Sequence, residues 1–263
     1  MIALIDADSL IYKVGFSLED KVIWNELEAF VGEEEIDEPI YYADVIQSKK
    51  TISTMIENIM FAVDCDKCEL WLTGKDNFRS KLPTDYKLHR QGNRKPELYN
   101  ELKDYLISTY STTVANGYEA DDALVMLKTL NPDKYVLCAI DKDVLYQSEG
   151  THYNYSKDEY VTVTKKQAIR YAYYQILVGD ASDGYKGCKG IGHVRATKIL
   201  DEAEKAHKGS QMALKDLYWK AVVTTYESQG QTEDEAELQM QLANMHQLTD
   251  KGIVLWVRPK LNN

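Results

Sequence analysis

Apolar positions follow two alternating rhythms along the chain as far as Asp180. Short apolar runs of strand character lie at residues 2–5, 69–72, 112–115 and 135–140, with a weaker one at 152–155. Between them the apolar positions recur with a helical period, which predicts helices over 43–63, 96–108, 120–130 and 165–178. This alternation predicts an α/β fold, a central mostly parallel sheet flanked by helices on both faces. After Asp180 the pattern changes to helix and glycine-rich turn, and the remainder reads as helical. The expected organisation is an α/β part over 1–178, with a basic stretch at 75–105, and a helical part over 179–263 packed on it as one globular unit. No internal repeat or low-complexity tract is visible.

A chain of 263 residues, 44% of them hydrophobic, buries enough core for one large domain or two small ones. The first acid is residue 6 and no apolar run approaches the ~18 residues of a membrane span, so neither a leader nor a membrane segment is expected and the protein reads as cytoplasmic. Four cysteines include one Cys-x-x-Cys pair, Cys65 and Cys68. With no second pair and no nearby His to complete a zinc set, reduced thiols are expected. The net charge of −11 argues against indiscriminate nucleic-acid binding by the whole surface. The charge is unevenly spread, however. Residues 19–44 hold ten acids and one Lys, whereas 75–95 hold seven Lys or Arg against two acids. The acidic stretch 18–42 reads as a solvated hairpin or helical excursion, and the Gln-rich stretch 209–237 as an exposed helix pair or mobile loop.

Chemistry enters at the segment ALIDADSLIY, where a buried strand delivers Asp6 and Asp8 to its tip. Ligands of α/β folds gather at the carboxyl ends of the strands, so this pattern suits a cation or a phosphate held by one. Both a phosphatase with a nucleophilic Asp and a metal-dependent nuclease fit it. Further acids recur at turns and helix starts: Glu119, Asp121 and Asp122 in YEADDALVML, Asp141 and Asp143 in AIDKDVL, Asp180 and Asp183 in LVGDASDG. Singly, each group is explained as a helix cap. The first three groups follow strands, and a parallel sheet would bring them to one edge. There, unneutralised carboxylates would repel unless hard cations joined them. This density of oxygen ligands predicts Mg²⁺ or Mn²⁺, two ions ~4 Å apart. The phosphatase reading needs one metal and leaves Glu119, Asp121, Asp122, Asp141 and Asp143 without a role.

These residues also carry a resemblance. EADD, then DKD, then GDASDGYKGCKGIGHVRATKIL are similar to the 5′-nuclease family of flap endonucleases, polymerase 5′-nuclease domains and bacteriophage 5′ to 3′ exonucleases. IVLWVRP resembles the last group in particular. The resemblance implies a PIN-like fold with a C-terminal helix-three-turn-helix region. It implies metal ligation by Asp6, Glu119, Asp121, Asp122, Asp141, Asp143, Asp180 and Asp183. FRSKLPTDYKLHR resembles the family element that ends in Tyr-Lys-x-x-Arg. This implies that Lys87 and Arg90 reach the scissile phosphate, that Tyr86 stacks on a terminal base, and that Arg79 contributes to DNA binding. Residues 91–105 would form a small helical gateway for a single strand. In KGCKGIGHVRATKIL, Lys189, Gly190, Gly192, Arg195 and Lys198 would grip duplex backbone, and a K⁺ is implied at the Gly190–Gly192 turn. Glycines ahead of a helix N-terminus suit phosphate on physical grounds as well.

One family position departs. In WLTGKDNFR, Gly74 or Thr73 stands where the family's acid belongs. Asp76 or water would take its place, and an acid restored at Gly74 is expected to be tolerated. The reading is therefore a divalent-metal-dependent 5′ to 3′ DNA exonuclease with 5′-flap endonuclease and RNase H-like primer-removal activity. Its expected partners are DNA and replication proteins such as a single-strand-binding protein, and its place is the cytoplasm, a host's if the source is a phage. The alternative is a DNA-binding replication factor of the same fold with weakened catalysis.

Overall fold

The computed structural model describes residues 1–22, 39–90, 92–208 and 212–259. In chain order the elements are β1 (Ile2–Asp6), α1 (Ala7–Ser17), β2 (Asp20–Val22), β3 (Ile40–Tyr42), α2 (Val45–Ala62), β4 (Lys67–Leu72), α3 (Tyr99–Thr109), β5 (Thr112–Val114) and α4 (Ala120–Leu130). They continue with β6 (Tyr135–Ala139), α5 (Lys142–Tyr146), β7 (Gly150–Asn154), β8 (Glu159–Val163), α6 (Lys165–Val178), α7 (His193–His207), α8 (Leu214–Ser228), α9 (Glu233–Ala243), β9 (Leu248–Thr249) and β10 (Gly252–Ile253). Six strands make the main sheet in the order β5-β4-β1-β6-β7-β8. All neighbours are parallel except β7 with β8.

The unbroken apolar run of β1 follows from this placement. Side chains alternate between the faces of a strand. Ala3 and Ile5 therefore enter one core with α1, α2 and α3, while Leu4 enters another with Leu124 and Val125 of α4 and Val144 and Leu145 of α5. A strand covered on both faces has no polar positions to spare. Residues after Lys165 build a third core around Tyr218, Trp219 and Tyr226, to which α6 contributes Tyr173, Ile176 and Leu177.

Several elements lie outside the predicted set. Helix α1 has only Leu10, Ile11 and Val14 as large buried residues and contains Gly15. That glycine permits close packing, because a Cβ there would lie 2.4 Å from the Pro96 side chain. The edge strand β8 returns antiparallel and is half exposed, and two-residue strands β9 and β10 interrupt the expected helical tail. The acidic stretch rises from an antiparallel base, Asp20–Val22 on Ile40–Tyr42. The rest of it, 23–38, lies outside the described residues, as do Gln91, 209–211 and 260–263. Beyond its first three residues, the Gln-rich stretch is the helix pair α8 and the first half of α9. All four cysteines are free thiols. No helix among the described residues is long and apolar enough to cross a membrane.

Gly179 terminates α6 immediately before Asp180, at φ +76°, and a Cβ on it would sit 2.5 Å from the Lys186 carbonyl carbon. Gly179→Ala is expected to destabilise the protein by about 1–3 kcal/mol, from backbone strain and overpacking together. A fall in the urea midpoint without a change in m-value checks it.

Candidate metal and nucleic-acid site

Each acidic group is placed by its local turn. Asp6 ends β1 and caps α1, accepting the N–H of Asp8 at 3.1 Å and the Ser9 hydroxyl at 2.5 Å. Asp141 follows β6 and caps α5, accepting the Asp143 N–H at 2.8 Å. Asp180 accepts the Ser182 N–H at 2.7 Å, while its own N–H donates to the Tyr185 carbonyl at 2.8 Å. Because β5, β4, β1 and β6 run parallel, the segments that leave them emerge at one sheet edge. Glu119, Asp121, Asp141, Asp143 and Asp183 line one narrow cleft there, with Tyr86 and Tyr185. Its volume of about 10 Å³ is room for about one water-sized particle.

Crowding shows in the acidities. Burial, then the neighbouring Asp8, pushes Asp6 up to about 7. Burial, then Asp141, raises Asp143 to about 6. Burial, Asp6 and Glu119 hold Asp121 well above the usual carboxylate range. Glu119 goes the other way. Burial works to raise it, yet the Lys87 ammonium and Arg79 guanidinium outweigh burial and hold it low. A cleft whose acids resist ionising together is one that a cation would stabilise.

The basic segment supplies cations to these acids. Lys87 donates to Glu119 at 2.7 Å and lies 3.7 Å from Asp183, while Arg90 donates to Asp183 at 2.9 Å. Lys87 sits at φ +52°, and its N–H donates to the Asp183 carbonyl at 2.8 Å. The Tyr86 hydroxyl donates to Glu119 at 2.9 Å and to Asp183 at 3.3 Å. Its ring is partly buried against the helical core. With Glu119 and Asp183 engaged in this way, no three acids among the described residues are arranged around a single ion as they stand.

Three expectations are corrected. Arg79 is not a surface contact for DNA: it is 2% exposed. Its Nη1 and Nη2 donate to the two Asp122 carboxylate oxygens, each at 2.7 Å, and its Nε donates to the Leu242 carbonyl at 2.8 Å. Asp122, expected as a ligand, is fully buried and also accepts the Glu119 N–H at 3.1 Å. Both of its oxygens are engaged by Arg79, and Asp122 does not line the cleft, because α4 turns it inward while Asp121 faces the acids. The third correction concerns the missing acid. A Cβ on Gly74 would lie 2.1 Å from the Ala115 carbonyl oxygen, so an acid there cannot be accommodated. Asp76 is exposed and lines no part of the cleft. The carboxylate that comes to the end of β4 is that of Asp8, which accepts the Thr73 N–H at 2.7 Å.

Asp8 was legible as the second acid of LIDAD, at the spacing that returns it one residue into the helix. Tyr171 was not. It lies in α6 and donates to Asp143 at 2.6 Å, and no motif announces it. Lys186, Lys189, Arg195 and Lys198 are exposed around the turn that opens α7. Arg195 donates back to the Gly190 carbonyl at 3.1 Å.

Arg79→Met is expected to cost about 3–5 kcal/mol, because it strands a buried carboxylate. Arg79→Met with Asp122→Leu should recover much of that loss in thermal melts. Gly74→Asp should unfold at distinctly lower temperature than wild type, in contrast to Asp76→Ala, which should melt with wild type.

No family model matches the chain. A stretch of 135 residues is 34% identical to the thermostable DNA polymerase I of Thermus aquaticus, covering 47% of this chain and 15% of that one. Another of 152 residues is 27% identical to the 5′-3′ exonuclease of Bacillus subtilis, covering 51% of each. The chain thus spans about half, or less, of the length of these curated relatives. A bacteriophage T5 flap endonuclease, solved as a pseudo-enzyme-product complex with DNA and metal ions, superposes with a TM-score of 0.60. It is 15% identical and is matched over 93% of this chain and 89% of its own, which shows a shared fold. Over about half of its length the chain is thus similar in sequence to a DNA polymerase I and to a 5′-3′ exonuclease, and it shares the fold of the T5 flap endonuclease.

Proposed function

We propose that the protein is a divalent-metal-dependent nuclease that hydrolyses DNA from 5′ ends, as an exonuclease and at 5′ flaps, with RNase H-like primer removal as part of the same activity. The observation that carries this is the single cleft into which Glu119, Asp121, Asp141, Asp143 and Asp183 converge with Lys87 and Arg90 beside them. The donor set fits hard cations, being oxygen throughout and crowded enough to hold Asp6, Asp121 and Asp143 above the usual carboxylate range. Asp6, Glu119, Asp121, Asp141, Asp143, Asp180 and Asp183 would hold Mg²⁺ or Mn²⁺ in two places. Bound, the ions would neutralise phosphate charge and make water acidic enough to act as a nucleophile.

The chain's own residues do the rest. Lys87 and Arg90, held at the acids now, turn to the phosphate that enters between them and stabilise its charge as the bond to the leaving oxygen breaks. Tyr86 and Tyr171 orient carboxylates through their hydroxyls. The α/β part, 1–178, carries the chemistry. The helical part, 179–263, grips duplex backbone without reading sequence, through Lys189, Arg195, Lys198 and the N–H groups at Gly190 and Gly192. A K⁺ at that turn would have to share the Gly190 carbonyl with Arg195. Cytoplasmic DNA replication or degradation, a host's cytoplasm for a phage protein, and contact with a single-strand-binding protein complete the reading. Retention of the acid set speaks against a weakened, binding-only factor.

Asp143→Ala is expected to abolish Mg²⁺-dependent release of nucleotides from a 5′-labelled duplex while leaving duplex affinity within about twofold. Mg²⁺ should also raise the melting temperature of the wild-type protein, in proportion to ln(1 + [Mg²⁺]/Kd), and raise that of Asp143→Ala much less. Retained cleavage in the variant would remove the cleft from the chemistry. Lys189→Ala with Lys198→Ala should weaken duplex binding and reduce the slope of log K against log salt by about two, roughly one per lost phosphate contact. An unchanged slope would move the duplex site elsewhere.

A further inference from the structure

Away from the acid cleft, and sharing no residue with it, a hollow of about 480 Å³ opens between the end of α4, the turn after α5, and helices α6, α8 and α9. Its walls are apolar, built by Ala168, Ile169, Ala172, Tyr173, Met240 and Trp256. A second hollow of about 490 Å³ adjoins it and shares Lys165 and Ile169, so the two form one extended groove along the outer side of α6.

Four lysines line this groove, and among the described residues three of them are without an ion pair. Lys165 and Lys215 border the first hollow and Lys208 the second. All three are exposed, and none forms an ion pair among the described residues. The fourth, Lys166, lines the second hollow together with Glu204, which engages both it and Arg170. Glu149 is the acid on the rim of the first hollow. Three unpaired cations around an apolar floor run against the trend of a chain with net charge −11. Within the first hollow the Ser148 hydroxyl is 1% exposed and has no hydrogen-bond partner. Such a group is uncommon and invites a ligand atom.

The geometry points to a peptide-docking groove whose occupant is a short acidic segment of a partner protein carrying large apolar side chains. The apolar floor takes the side chains, the lysines take the carboxylates, and Ser148 donates to a carbonyl or carboxylate oxygen. A DNA backbone fits less well. It would satisfy the lysines, but it has no apolar group to bury against Ile169, Met240 and Trp256. The extended double hollow also exceeds what one mononucleotide fills, whereas a strand or turn of peptide places successive side chains in both parts.

The test uses a fluorescein-labelled peptide, Asp-Asp-Leu-Asp-Asp-Phe, in anisotropy titrations against the full chain. Saturable binding is expected. Replacing its Leu and Phe by Ser should weaken it at least ~tenfold, about 1.4 kcal/mol. Lys165→Glu with Lys215→Glu should do the same, as should Ile169→Asp at a position 38% exposed. Both variants should cleave a 5′-labelled duplex at the wild-type rate. No saturation at ~1 mM peptide, or equal affinity for the Leu/Phe and Ser peptides, overturns the proposal without recourse to any variant. If the lysine variant loses duplex affinity and duplex displaces the peptide, the groove is a nucleic-acid surface and the proposal also fails.

Discussion

The structure of the site depends on one buried ion pair. Arg79 reaches Asp122 with both terminal nitrogens, touches Glu119 at 3.4 Å, and donates to the carbonyls of Leu242 and Asn244. Removing a guanidinium and a carboxylate from water costs several kcal/mol per ion, which only this degree of hydrogen bonding offsets. The pair therefore has one acceptable geometry. In holding it, the chain joins the basic segment, the first turn of α4 and the segment that leaves α9. Because Asp122 is drawn inward, Asp121 and Glu119 on the same turn have their directions set toward the cleft.

The second constraint is charge. Five carboxylates on one narrow cleft repel, and the folded chain answers with its own cations. Lys87 lies on Glu119 and Arg90 on Asp183. The left-handed backbone at Lys87, a conformation that costs a non-glycine residue about 1–3 kcal/mol, is held by the Asp183 carbonyl. Strain kept at such a place fits a residue positioned for a task rather than for packing. In the proposed reaction these same cations are the ones that would meet the phosphate.

Packing supplies a third constraint, on what the end of β4 may carry. The Ala115 carbonyl presses on Gly74 so closely that no side chain fits. The edge of the sheet there is served instead from α1, by Asp8 bonded to the Thr73 N–H. The carboxylate at that strand end thus comes from the neighbouring helix, and it lies outside the lining of the cleft. The sheet order, β4 beside β1, is what brings the two together.

What the sequence determined by itself is local. The apolar run of β1, the helical periods of α4 and α6 and the acids capping the turns after β1 and β6 are decided by neighbours a few residues apart, so they are readable from the chain. Convergence of those acids follows from the parallel order that alternating strands and helices imply. Tertiary structure decided the rest. A basic stretch reads as a solvated face in one dimension, and nothing within FRSK marks Arg79 as buried. Its burial comes from Asp122, 43 positions away, and Leu242, 163 away. The refusal of an acid at Gly74 comes from a carbonyl on another strand, and the support of Asp143 from Tyr171 on a helix of the far core. Desolvation and close contact belong to the folded surroundings of a residue, and the chain alone does not contain those surroundings.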